Sequence, residues 1–310
     1  MLRNIHTILL QDSTRLIEAL ALDPDSARIE MQCLLQHVLN VTRAYLPTHP
    51  ERRLNTPEQA RYDELLQQRL QGEPIAYLLG EREFFGLMFK VTSDTLIPRP
   101  ETELLVELAL QRIASYPLPA YRPPSPASGR GAGGEGSEKG LGKWSFRILD
   151  LGTGCGAIAL AIAHARSEVT VLACDTSAAA LEVARENAQR LNITNVAFVF
   201  SDWFQALTGQ HFDIIVANPP YVATDDPHLM QGDVRFEPAS ALVSGDDGLQ
   251  DIRQIISQAK NHLQAGGWLL LEHGYDQAAQ VRELLQQAGY CEVFSARDLA
   301  GIERVSGGHA

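Results

Sequence analysis

The stretch Phe146-Arg147-Ile148-Leu149-Asp150-Leu151-Gly152-Thr153-Gly154-Cys155-Gly156-Ala157 runs an apolar strand into a tight glycine turn and then into a helix. Closely spaced glycines after a strand let the backbone turn sharply and approach a ligand that no side chain would tolerate. Outward from this point the chain alternates. Strands are expected at Phe146–Asp150, Val169–Cys174, Val196–Phe200, Phe212–Ala217, Trp268–Glu272 and Glu292–Ala296. Helical stripes are expected at Ala157–Ala165, Ala178–Leu191, Leu249–Leu263 and Gln277–Ala288. Near-continuous apolar strands separated by helices predict a doubly wound, mostly parallel α/β sheet. Ligands of such sheets sit beyond the carboxyl ends of the strands.

Residues 1–80 read differently. Apolar positions Ile5, Ile8, Leu9, Leu16 and Leu20 form a helical stripe, and a second runs through Ile29, Leu34, Leu35, Val38 and Leu39. Asp23-Pro24 has the form of a cap followed by a first-turn proline. Thr56-Pro57-Glu58-Gln59 suggests a capping box opening the helix that carries Leu65, Leu66 and Leu70. Short amphipathic helices without strands predict a small helical bundle domain. Residues 81–95, with Glu83 to Val91 apolar and aromatic around Gly86, suggest a hairpin linker. Residues 96–310 form the larger domain, opened by Leu96-Ile97-Pro98-Arg99-Pro100-Glu101-Thr102-Glu103, where Pro100 starts a helix with Glu101 and Glu103 in its first turn. Within it, Arg122–Lys143 holds seven glycines, three prolines and three serines in 22 positions, too little apolar surface to offset ordering, and reads as a disordered insertion.

Composition narrows the chemistry. The 310 residues carry a net charge of −12, with 10 basic and 12 acidic residues up to position 90 and 16 and 26 after it. That balance argues against an enzyme gripping duplex nucleic acid, which needs a basic face. Cys33, Cys155, Cys174 and Cys291 form no CxxC pair, and the histidines show no ligand spacing, so neither disulfides nor a metal site is expected. Arg3, Asp12 and Arg15 interrupt the first apolar stretch, against a signal peptide, and no apolar run approaches a membrane span. The expected location is the cytoplasm.

Four loops follow the first four strands. The first, Gly152 to Gly156, also fits a dinucleotide pattern through Gly152, Gly154 and Ala157. The second ends in Asp175, whose carboxylate would accept from both hydroxyls of a ribose, Ser177 being available as the helix cap instead. In the third, Asp202 would accept from the exocyclic amine of an adenine and Trp203 would lie against its face, a core position being the equal alternative for Trp203. The fourth runs from the Phe212–Ala217 strand into Asn218-Pro219-Pro220-Tyr221. A planar amide nitrogen needs two acceptors for its two N–H groups. The Asn218 side-chain oxygen and the Pro219 carbonyl supply them, the prolines stiffen the loop, and Tyr221 stacks on the plane.

Asn218 to Tyr221 with Asp150 to Gly156 resembles the class I methyltransferases that act on planar nitrogens. Gly72-Glu73-Pro74-Ile75-Ala76-Tyr77, Leu96 to Glu103, and Val234-Arg235-Phe236-Glu237-Pro238 further resemble the bacterial release-factor glutamine N5-methyltransferases, over nearly the whole chain outside the insertion. The resemblance implies a seven-stranded methyltransferase sheet and S-adenosylmethionine as cofactor. It also implies methylation of the glutamine in the Gly-Gly-Gln tip of class I peptide chain release factors. Gly152, Thr153, Gly154, Cys155, Gly156, Asp175, Asp202, Trp203 and Asn218 would then bind the cofactor, and Asn218, Pro219, Pro220 and Tyr221 the glutamine, with Asn218, Pro219 and Tyr221 carrying catalysis. Arg99, Glu237 and Glu272-His273 receive no role beyond structure.

A carboxamide nitrogen is a poor nucleophile, and two acceptors on its N–H groups would raise its electron density without prior deprotonation. Three rivals share parts of the pattern. An adenine-N6 DNA methyltransferase would flip a base into the same pocket. A nicotinamide oxidoreductase fits the glycine loop and Asp175 but leaves Asn218–Tyr221 without a task. The third is a binding module without catalysis. A methyltransferase acting on a different protein glutamine is the alternative nearest to the resemblance.

Overall fold

The computed structural model describes residues 2–115 and 146–310, so the expected insertion at 122–143 lies outside the described residues. The described residues divide into two compact units, 2–98 with 222–249, and 99–115 and 146–221 with 250–310.

In the first unit, helices α1 (Ile5–Leu20), α2 (Pro24–Leu39), α3 (Tyr45–Thr48), α4 (Thr56–Leu70) and α5 (Ile75–Leu79) enclose Ile5, Ile8, Leu16, Met31, Leu34, Leu35, Tyr62, Leu65 and Leu66. Asp23 caps α2 by accepting from the Asp25 and Ser26 amides, with Pro24 in the first turn. The capping box of α4 sits one residue earlier than its sequence suggests. Asn55, not Thr56, accepts from the Glu58 amide at 2.9 Å, and Glu58 Oε2 accepts from the Asn55 amide at 2.9 Å. Thr56 is already helical, so its backbone cannot adopt the extended cap conformation. The hairpin pairs β1 (Glu81–Phe84) with β2 (Leu87–Lys90) through Phe85 and Gly86, both at positive φ, as a two-residue turn of matching twist requires.

The first unit is wider than the expected helical domain. It takes in the hairpin, residues up to 98, and residues 222–249, whose short turns at Pro227–Met230, Val234–Phe236 and Ala239–Ala241 carry no helical or strand periodicity. Arg69 in α4 ties this segment down, donating to Asp233 at 2.9 Å. Glu237 accepts from the Ile97 amide at 3.1 Å.

The second unit is one seven-stranded sheet built from β3 (Arg147–Leu151), β4 (Thr170–Asp175), β5 (Val196–Phe200), β6 (Phe212–Ala217), β7 (Leu263–Glu272), β8 (Cys291–Arg297) and β9 (Glu303–His309), in the order β5-β4-β3-β6-β7-β9-β8. The first five positions pair in parallel, and β9 runs antiparallel to both neighbours. Helices α6 (Glu103–Ser115), α7 (Ala157–Ala165), α8 (Ala178–Arg190), α9 (Gln250–Ala259) and α10 (Ala278–Gln287) complete the unit. Strands β3 and β6 carry Ile148, Leu149, Leu151, Ile214, Ile215 and Val216, all fully buried, as parallel strands covered on both faces must be. Strand β9 is the seventh strand that the resemblance implies and that no sequence pattern located. Its Gly307 is fixed by crowding: a Cβ there would stand 2.6 Å from the Leu269 carbonyl oxygen and 2.7 Å from Leu270 Cδ2.

Candidate active site

The register places four loops side by side. Leu151 pairs with Cys174 and with Ala217, Asp175 with Phe200, and Ala217 with Leu271. The parallel strands therefore end together, and Gly152, Asp175, Ser201, Asn218 and Glu272 come to one edge of the sheet.

Gly152, Gly154 and Gly156 all have positive φ, which keeps the backbone of the turn bare of side chains. The Gly152 and Thr153 amides both donate to the Cys174 carbonyl at 2.9 Å, locking the turn against β4. Beneath it, Asp150 is fully buried. Its Oδ2 accepts from the Thr153 hydroxyl at 2.6 Å and from the Ala159 amide at 3.2 Å, while Oδ1 has no partner. Burial pushes the Asp150 carboxyl up to about 7 against those two hydrogen bonds. Burial likewise pushes the Cys155 and Cys174 thiols up to about 12, so neither is a nucleophile at neutral pH.

Asp175 is half-buried at the end of β4. Its two oxygens accept from the Gly154 and Ser177 amides, each at 2.8 Å, while Ser177 caps α8 through the Ala180 amide. Each carboxylate oxygen keeps a lone pair for a further donor. In the third loop Ser201 donates to the Trp203 carbonyl at 2.8 Å, and Trp203 holds a left-handed φ of 45°. Strained backbone at a non-glycine residue gathers at ligand sites. The Trp203 ring faces Gly152, where a Cβ would stand 3.5 Å from it. The buried core aromatic of this loop is its neighbour Phe204, stacked on His262 with ring centroids 4.7 Å apart. Asp202 is exposed and accepts from Gln205 at 2.6 Å. A glycine backbone bare of side chains, an acidic residue with free lone pairs and an aromatic face over the glycine turn make a set that fits an adenosyl ligand.

The fourth loop is braced from within the unit. Gln277 Nε2 donates to the Tyr221 carbonyl at 2.9 Å, while its Oε1 accepts from the Gly274 amide at 2.8 Å. Pro219 is buried, and Asn218, Pro220 and Tyr221 are half-buried. Burial raises the Tyr221 phenol, keeping it protonated. Asn218 Nδ2 donates to the Thr102 hydroxyl at 3.3 Å.

Two groups at this edge carry no obvious sequence signal. Thr102 lies in the short turn Pro100–Thr102 before α6, and Glu272 ends β7 with Oε2 buried and unpartnered. The position of Glu272 at the carboxyl end of a parallel strand was the signal available for it. His273 is structural: buried, it bonds the Gly274 carbonyl through Nδ1 at 2.9 Å and Ser306 through Nε2 at 2.8 Å. Burial lowers its basicity, so it sits neutral, Nδ1 carrying the proton. No described helix is long and apolar enough to cross a membrane.

Two family models match the chain. The PrmC N-terminal domain covers residues 9–80 and the methyltransferase small domain covers residues 140–246. The release factor glutamine methyltransferase of Pseudomonas aeruginosa is 46% identical over 284 residues, spanning 92% of this chain and 93% of that protein. Its counterpart from Bordetella pertussis is 46% identical over 295 residues, 95% and 99% of the two chains. The hMettl16 catalytic domain, solved in complex with MAT2A 3'UTR hairpin 6, shares the fold at a TM-score of 0.52 and 16% identity, over 83% of this chain and 84% of that one. Sequence kinship across both units, with a methyltransferase sheet beneath it, makes the chain a member of the release factor glutamine methyltransferases, an S-adenosylmethionine-dependent family.

Proposed function

We propose that this enzyme methylates the N5 amide nitrogen of the glutamine in the Gly-Gly-Gln motif of class I release factors, in the cytoplasm. The observation that carries the reading is Asn218: its amide nitrogen is engaged by Thr102 at 3.3 Å, which leaves Oδ1 as an acceptor beside the Pro219 carbonyl. When bound, S-adenosylmethionine supplies an electrophilic methyl group. Gly152 to Gly156, Asp175, Asp202 and Trp203 would hold it, the glycine turn by letting it approach a backbone bare of side chains, Asp175 through lone pairs left over from Gly154 and Ser177, and Trp203 through its ring.

The substrate amide donates its two hydrogens to Asn218 Oδ1 and the Pro219 carbonyl, which draws lone-pair density back onto its nitrogen and turns that lone pair to the methyl donor. Tyr221, neutral and anchored by Gln277, covers the plane of the amide. Neither acceptor can remove a proton, so the nitrogen loses its proton after methylation, when it is cationic and acidic. The helical first unit contributes the surface that selects the protein substrate.

The test is incubation of the full-length enzyme with labelled methyl donor and purified release factor, alongside DNA and unrelated proteins. Label on the Gly-Gly-Gln glutamine is the expected result, and label on adenine in DNA the result that overturns the proposal.

A further inference from the structure

Glu272 is a fully buried carboxylate, and burying an ionisable group is expensive unless it has a task. Parallel pairing of Ala217 with Leu271 sets Glu272 beside Asn218, where the Thr102 hydroxyl and the Asn218 amide both favour its charged form, while its Oε2 stays without a partner. Asn218 Nδ2 also donates to the Thr102 hydroxyl at 3.3 Å. The Asn218 amide nitrogen therefore faces two acceptors, a hydroxyl that it bonds and a neighbouring carboxylate.

The direction of this network is fixed by its acidic end. An ionised carboxylate offers acceptors and no donor. Its charge draws the Thr102 proton toward it, and Thr102 presents a lone pair to Asn218 Nδ2. If the carboxamide of Asn218 were turned over, Oδ1 would face a carboxylate oxygen and a hydroxyl lone pair, and Nδ2 would lose both acceptors. A lost bond to a neutral hydroxyl is worth about 1 kcal/mol and turning an oxygen toward a buried carboxylate costs more, so the amide stays nitrogen-inward. Oδ1 then faces the other way.

We propose that Thr102 and Glu272 are positioning residues that lock the Asn218 carboxamide with Oδ1 presented to the substrate nitrogen. The proposal rests on the reading of Asn218 Oδ1 as an acceptor for the substrate amide. It gives the Pro100–Thr102 turn and the end of β7 a task that neither has by itself, at sites 116 residues apart in sequence for Thr102 and Asn218. It also makes the lock depend on ionisation. Burial raises the Glu272 carboxyl to about 7, with Glu101 adding to the rise and Arg304 opposing it. Glu101 flanks Thr102, Arg304 lies on β9, and the Tyr221 phenol, itself raised by Glu272 and lowered by Arg304 and Arg99, remains protonated throughout. Once Glu272 is protonated its O–H becomes a donor. The turned-over amide is then satisfied as well, and the lock opens.

The experiment uses the full-length enzyme with S-adenosylmethionine and a release factor. Thr102→Val and Glu272→Gln should each lower kcat about 10- to 100-fold, with S-adenosylmethionine affinity and KM for the factor within about twofold of the parent, while Thr102→Ser restores most of kcat. The parent kcat should fall as pH drops through about 7, and Glu272→Gln should flatten that limb. Independently of turnover, the side-chain amide 1H–15N resonances of Asn218, assigned by their loss in Asn218→Asp, should shift in Thr102→Val and lose their pH dependence in Glu272→Gln. Folding of each variant is checked by its melting temperature. Asn218→Ala inactive beside Thr102→Val at parental kcat, or Asn218 resonances that Thr102→Val leaves in place, overturns the proposal alone. Parental turnover in Asn218→Ala overturns the acceptor reading, and the lock loses its object.

Discussion

Arg69 and Asp233 are joined at 2.9 Å across 164 residues of sequence, and the same guanidinium holds Glu30 at 2.6 and 2.9 Å. It also donates to the carbonyls of Gly72 and Glu73. One buried side chain thus ties α2, α4, the loop after α4 and residues 222–249 into a single unit. Removing residues 1–80 would strip the 222–249 segment of this anchor, so substrate selection is better probed by substitutions in the intact chain.

Arg69→Met should destabilise the protein by about 3 kcal/mol, since it leaves two carboxylates and two carbonyls without their shared donor. Asp233→Ala should lose about 1 kcal/mol, because Asp233 is far more exposed than Arg69 and Glu30 remains. Urea unfolding at pH 7 measures both. Equal losses would mean that Asp233 carries more of the anchor than its exposure allows.

Asn218→Ala should cut turnover about a hundredfold or more while leaving S-adenosylmethionine affinity within severalfold of the parent. The acceptor it removes matters most as charge develops on the substrate nitrogen, so the loss should fall on kcat rather than on KM. Calorimetry and single-turnover methylation of release factor separate the two. An equal loss in cofactor affinity would reassign Asn218 to the cofactor.

How much of this was legible in the sequence depends on how local the cause is. Strands β3 and β6 announced themselves because burial on both faces leaves only apolar residues such as Ile148, Leu149, Ile214 and Ile215. The four loops were legible because parallel strands order their carboxyl ends. Strand β9 was not. Glu303, Ser306, Gly307 and Gly308 have no apolar alternation, and the glycines are demanded by neighbours far off in sequence, Leu269 and Leu270 at Gly307 and Tyr290 at Gly308. The turns of residues 222–249 were silent for the same reason, being shaped by contacts such as Arg69 and Ile97 rather than by their own periodicity. Thr102 and Glu272 are ordinary residues until the sheet brings them to Asn218.

Gly307→Ala should destabilise by about 1–3 kcal/mol, the usual range for forcing a methyl group into filled space. Its Cβ would press on the Leu269 carbonyl, a backbone atom of the sheet that has no rotamer to retreat into. Gly301→Ala is a fitting contrast, because nothing lies within 4 Å of its added Cβ and only its positive φ of 80° opposes the change. Thermal unfolding of the two variants checks the ranking. A Gly307→Ala protein as stable as its parent would show that β7 and β9 separate more easily than their register suggests.

Glu272 should make stability fall as pH rises. Its carboxyl has an ordinary value of 4.5 in the unfolded chain and about 7 in the folded one. Between those two values the native state holds a proton that the unfolded state has released, so the slope of unfolding free energy against pH is negative. The favourable contribution is complete below about 4.5 and is lost as pH passes through about 7. Asp150, also raised to about 7, adds a term of the same sign, but it is common to parent and variant and cancels in their difference. Glu272→Gln cannot ionise. Relative to the parent it should therefore gain about 1 kcal/mol for each pH unit across the window, approaching the full thermodynamic slope only if Glu272 titrates independently. Its amide brings a fixed offset that does not vary with pH. Urea denaturation of both proteins at half-unit steps from pH 5 to pH 8 gives the difference directly. A parent-minus-variant difference that is flat over this range would mean that Glu272 stays ionised when buried, held by Thr102, Asn218 and Arg304 more strongly than desolvation opposes it.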